Sequence, residues 1–171
     1  MTDHLNLQTI KKISYLRPSL KFVVGKYMAQ ILYDLKIEPR NIVTIETGKD
    51  YNFNAFKCRL DEIPHDVPNV AIHLEIDNEK LLYATDTSSL ENVNAKNYNY
   101  YLIEGNYKEK ELEERKERKL LNGEFVIEDR IANSHLSYEQ CLDFFMENAS
   151  DNSVLEVLHQ HKDRHKGDSN V

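Results

Sequence analysis

Two residues far apart in the chain, His65 and Asp86, are of types that bind borderline metal ions, and each sits where a strand should end. His65 lies in Pro64-His65-Asp66-Val67-Pro68, a loop stiffened by its two prolines. Residues 69–76 read as a strand, because Val70, Ile72, Leu74 and Ile76 alternate onto one face. Asp77 and Asn78 make a tight turn, and a second strand through Leu81, Leu82 and Tyr83 ends in Thr85-Asp86-Thr87. Such a hairpin returns Asp86 to the loop of His65. A carboxylate can bridge two ions, which a neutral imidazole cannot. His159 closes the short apolar strand 154–158, where it would meet ligands from other strand ends. His135, just before a helix start, reads either as a proton donor in the cleft or as a solvent-exposed loop histidine.

The elements that must carry these residues can be read in order. Leu7, Ile10, Ile13 and Leu16 give a short amphipathic helix over 5–16, stopped by Pro18. A strand at 20–24 precedes a helix from Gly25 to about Ile37 with Met28, Ile31, Leu32 and Leu35 on one face. Strands are expected at 42–46 and 53–60, with Gly48 in the turn between them. His73 reads as an ordinary strand histidine on the face opposite Val70, Ile72 and Leu74. A strand at 98–103 ends in Glu104, which reads as orienting a ligand or a neighbouring backbone from outside the ligand set. Residues 108–119 form a charged helix with i,i+4 pairs Glu111–Arg115 and Glu114–Arg118. Residues 128–133 lead on to the next motif with no element assigned. Ser137 and Gln140 form a capping box for a helix whose apolar residues are Cys141, Leu142, Phe144 and Phe145.

Taken in order, Asp3-His4, His65-Asp66, Thr85-Asp86-Thr87, His135-Leu136-Ser137 and Leu158-His159 resemble the motifs of metallo-β-lactamase-fold hydrolases, and most of all the ribonuclease Z-like and phosphodiesterase branches. The resemblance covers nearly the whole chain. It departs from the family at one place: Met1 stands where the second histidine of His-x-His-x-Asp-His belongs, and the first would fall before residue 1. The resemblance implies an α/β fold, the αββα sandwich lacking its N-terminal strands, in one domain over 1–166 with a frayed tail at 167–171. It implies zinc or manganese, one or two ions, with Asp3, His4 and His159 on one ion, His65 on the other and Asp86 between them. Asp3 and His135 would be the catalytic residues, His135 as general acid. The implied activity is hydrolysis of a small phosphodiester or cyclic nucleotide. Without the missing histidines, the alternative is a non-catalytic remnant that acts through association, and exposed sheet edges lead us to expect a homodimer or a companion chain.

Composition bounds these readings. A chain of 171 residues, 40% hydrophobic, can bury one core. A net charge of −7 argues against capture of long nucleic acid, which needs a concentrated basic surface. The two cysteines, Cys58 and Cys141, lack metal or redox spacing and are expected as reduced thiols in a cytoplasmic protein. No apolar run reaches the roughly 18 residues that cross a bilayer.

Overall fold

A computed structural model describes residues 6–160. The chain begins with helix α1 (Leu7–Leu16), whose N-cap Asn6 accepts a hydrogen bond from the Thr9 N–H at 2.9 Å. Strand β1 (Phe22–Gly25), helix α2 (Lys26–Asp34) and strand β2 (Ile42–Ile45) follow as a crossover unit, and β1 pairs with β2 in parallel. The remaining strands, β3 (Asp50–Phe53), β4 (Phe56–Ile63), β5 (Asn69–Ile76), β6 (Glu79–Ala84), β7 (Tyr100–Glu104) and β8 (Val154–Leu158), form one six-stranded sheet in sequence order. It is antiparallel from β3 to β6 and parallel from β6 to β8. Helices α3 (Glu109–Leu121), α4 (Glu128–Ser134) and α5 (Tyr138–Asn148) lie between β7 and β8. Among the described residues no helix is long and apolar enough to cross a membrane.

The expected hairpin is present, with Asp77 and Asn78 both at positive φ (52° and 68°), the two-residue turn that matches strand twist. The strand expected at 53–60 is instead two strands. The chain reverses at Asn54-Ala55, and Phe53 stacks on Phe56 across the turn with ring centroids 4.9 Å apart. Residues 128–133, to which the sequence assigned no element, lie in a helix. Its first residue, Glu128, is 1% exposed and is held by Arg115 and Lys119 of α3, each at 2.8 Å. Gly123 at φ 66° turns the chain between α3 and α4. The α3–α4 excursion closes on itself at its base, where Tyr107 bridges Ser137 and the Tyr138 N–H donates to the Tyr107 carbonyl at 2.7 Å.

Two apolar cores lie on the two faces of the large sheet. On one face Ala71, Leu82, Ala84, Tyr101 and Ile103 pack with Cys141, Phe144 and Phe145 of α5. On the other, Cys58 and Leu60 pack with Ile45, Val23 and Val43 of the small sheet, behind which lies α2. The layer order is α, β, β, α. His73 is buried on the face opposite Ile72 and Leu74, as its alternation requires; its Nδ1 bonds the Tyr98 hydroxyl at 3.0 Å, and its Nε2 lies 3.1 Å from Asp61 Oδ2. Two strands cannot cover six. Over β6–β8 the side facing the small sheet stays open: Tyr83, Tyr100 and Val154 are exposed, and Leu81 and Leu102 are half-buried and belong to neither core.

Candidate metal centre

Because β6, β7 and β8 are parallel, their carboxyl ends share one rim of the sheet, and antiparallel β5 brings the 64–68 loop to the same rim. Asp86 lies two residues past β6, Glu104 ends β7 and His159 follows β8 directly. The Asn69 side-chain amide donates to the carbonyls of Thr85 (2.7 Å) and Asp86 (2.8 Å), and the Ser88 N–H donates to the Pro64 carbonyl at 3.1 Å, joining the two loops. Asp86 (φ 55°) and His159 (φ 56°) both adopt the left-handed conformation, which turns each side chain sharply from its strand's path.

Glu104 is fully buried at the centre of this rim. One carboxylate oxygen accepts the Thr87 N–H at 2.5 Å. The other lies 3.0 Å from Nδ1 of His135 and 3.3 Å from Nδ1 of His159. Asp86 Oδ1 is 3.3 Å from His159 Nδ1 and 3.8 Å from His135 Nδ1. One donor atom from each of these four residues falls within 4.8 Å of all the others. Burial alone would raise the Glu104 pKa, but the bonds from His135, His159 and the Thr87 N–H outweigh it and hold the carboxyl down at about 2. The His159 pKa is raised, first by its bond to Glu104 and then, against the opposing effect of burial, by the Asp86 charge.

Helix α4 supplies two imidazoles' supports. His135 caps its C-terminus, with its N–H on the Ile131 carbonyl at 3.0 Å. The carbonyl of Ser134, the residue before, accepts from Nδ1 of His65 at 3.1 Å. A carbonyl can only accept, so Nδ1 carries the proton and Nε2 keeps the lone pair, the tautomer that a metal-binding histidine needs. Asp66 and Arg130 join the same loop and helix at 2.9 Å. The His65 and His135 rings are 5.5 Å apart, and those of His135 and His159 are 5.3 Å apart.

Of the residues singled out from the sequence, His65, Asp86, His135 and His159 therefore converge. Asp3 and His4 lie outside the described residues, as do the remaining tail histidines 161 and 165. Glu104 orients both a backbone N–H and two imidazoles. Its central place had no local signal, since its partners lie 17, 31 and 55 residues away in sequence. Two carboxylates and three imidazoles at one rim form a donor set that suits a divalent ion of borderline hardness.

Solved structures share this arrangement of layers. The metallo-β-lactamase fold protein YhfI from Bacillus subtilis matches with a TM-score of 0.61 and 13% identity, over 91% of this chain and 59% of its own. Human tRNase Z, short form (ELAC1), matches with a TM-score of 0.56 and 11% identity, over 88% of this chain and 65% of its own. The chain has the metallo-β-lactamase fold. Zinc-bound PqqB from Methylobacterium extorquens matches with a TM-score of 0.50 and 14% identity, over 82% of this chain and 50% of its own. This chain thus spans half to two thirds of the length of these metallo-β-lactamase-fold structures. No family model matches the sequence, and no curated protein matches it by sequence.

Proposed function

We propose that this chain is a metal-dependent hydrolase of small phosphodiesters. The observation that carries the reading is the gathering of Asp86, Glu104, His135 and His159 within 4.8 Å, at the shared carboxyl ends of three parallel strands, with His65 beside them in the tautomer of a ligand. His65, Asp86 and His159 would hold zinc or manganese, joined in the full set by Asp3 and His4. A bound ion of this kind acts as a Lewis acid on the phosphoryl group.

The chain's own residues do the rest. Glu104 stays ionised and accepts from Nδ1 of His135, so the imidazole is held in one orientation with Nε2 available to carry a proton. From there His135 gives that proton to the leaving alkoxide oxygen. The buried Thr87 N–H bond keeps Glu104 from swinging away. A small phosphodiester is favoured over a long polyanion by the chain's charge of −7. Among the fold's relatives, the name of tRNase Z supports phosphodiester chemistry.

The test is elemental analysis of the purified chain, followed by turnover of bis(p-nitrophenyl) phosphate with zinc, manganese or cobalt added. Bound metal that is lost in Asp86→Ala, together with metal-dependent turnover, is the expected result. A chain that takes up metal but shows no turnover with any of the three ions would refute the hydrolase reading.

A further inference from the structure

Among the described residues, two apolar faces have no cover, and they are opposite in charge. The first is the stripe of α1, a helix without a buried residue, on which Leu7, Ile13 and Leu16 are 41%, 39% and 61% exposed. Lys11 and Lys12 flank the stripe, and residues 6–40 carry seven basic side chains against two acidic ones. The second is the open side of β6–β8, where Tyr83, Tyr100 and Val154 are 37%, 42% and 53% exposed between half-buried Leu81 and Leu102. The exposed charged residues of these strands on that side, Glu79 and Glu156, are both acidic. Residues 131–160, which include β8 and α5, hold five acidic side chains and no lysine or arginine.

The run Leu81-Leu82-Tyr83-Ala84, like Tyr100-Tyr101-Leu102-Ile103, is apolar on both faces, the pattern of strands covered on both sides. Helix α5 covers one side only. An amphipathic helix with basic flanks is the shape and charge that a flat apolar sheet face with acidic edges accepts. Within one chain α1 buries none of its residues. We infer that a second copy of this chain provides the cover: α1 of each copy docks on the β6–β8 face of the other, with Lys11 and Lys12 toward Glu79 and Glu156. The exchange is reciprocal, so the contact is two-fold symmetric and closes at the dimer.

Native mass spectrometry and light scattering of the full chain test this. The wild type is expected at twice 20.1 kDa. Ile13→Glu and Tyr100→Lys, both at exposed positions, should each give monomers with unchanged circular dichroism. Mixed together, those two variants should form a heterodimer, because the intact helix of the Tyr100→Lys chain meets the intact face of the Ile13→Glu chain. Lys12→Glu should weaken the dimer at least tenfold, and adding Glu156→Lys should restore it. A monomeric wild type, a dimer indifferent to both apolar substitutions, or a mixture that stays separate would overturn the inference.

Discussion

Glu104 holds together groups that no local pattern links. Replacing it with glutamine removes the carboxylate whose hydrogen bond chiefly raises the His159 pKa, so that pKa should fall in Glu104→Gln, as a histidine NMR titration would show. The same variant keeps a single acceptor oxygen, which can serve either the Thr87 N–H or the imidazoles of His135 and His159 but not both. His135→Ala, which deletes the proposed proton donor, should lower turnover of a phosphodiester by about 10²–10⁴-fold while leaving metal content unchanged. A parallel loss of metal would instead make His135 a ligand. At this scale the sequence was informative about residue type: His65, Asp86, His135 and His159 were each marked by a strand end or helix start. It was silent on the left-handed turns at Asp86 and His159, which depend on where the neighbouring loops pass.

Elements place those residues, and α4 is the one whose support is electrostatic. Glu128 is buried; burial raises its pKa, but the bond from Lys119 and backbone N–H groups more than compensate and hold it at about 2. A carboxyl depressed in the folded state contributes stability in full above the ordinary carboxylate range and loses it as pH falls from about 4.5 toward 2. Amide exchange should therefore show α4 opening ahead of the β-strands over that interval, and Glu128→Gln should abolish the acid step. At neutral pH that substitution removes the buried charge to which Arg115 and Lys119 both bond and should cost about 3 kcal/mol in urea unfolding. Ser137→Ala removes half of the capping box and should cost about 1 kcal/mol in the same assay. The capping box was legible because its signal spans four residues. Helix α4 was not, because seven residues with a single large apolar side chain, Ile131, give no periodicity, and its stability comes from charges on another helix.

At the scale of the molecule, the sequence foretold the hairpin beside the site, because a tight turn at Asp77-Asn78 between two apolar runs allows little else. The narrowness of the second layer was implied only by the resemblance, as missing strands, since nothing local in β1 or β2 says how many strands lie beside them. The cores also protect both thiols. Cys58 is 5% exposed and Cys141 is fully buried, its pKa pushed up by burial to about 11. Both should react with Ellman's reagent at pH 8 only as fast as the chain opens, and burst labelling of a native thiol would contradict the packing. The bridge between Tyr107 and Ser137 has a practical consequence for anyone who needs a handle on this protein. Since the two ends of the α3–α4 excursion are already stitched together, the closure does not depend on what lies at its far tip. A reporter domain spliced between Asn122 and Gly123 would lengthen a loop whose ends stay fixed, for an entropy change of only about 0.6 kcal/mol per doubling. Fluorescence could then be read from the molecule while its rim of imidazoles and carboxylates is left alone.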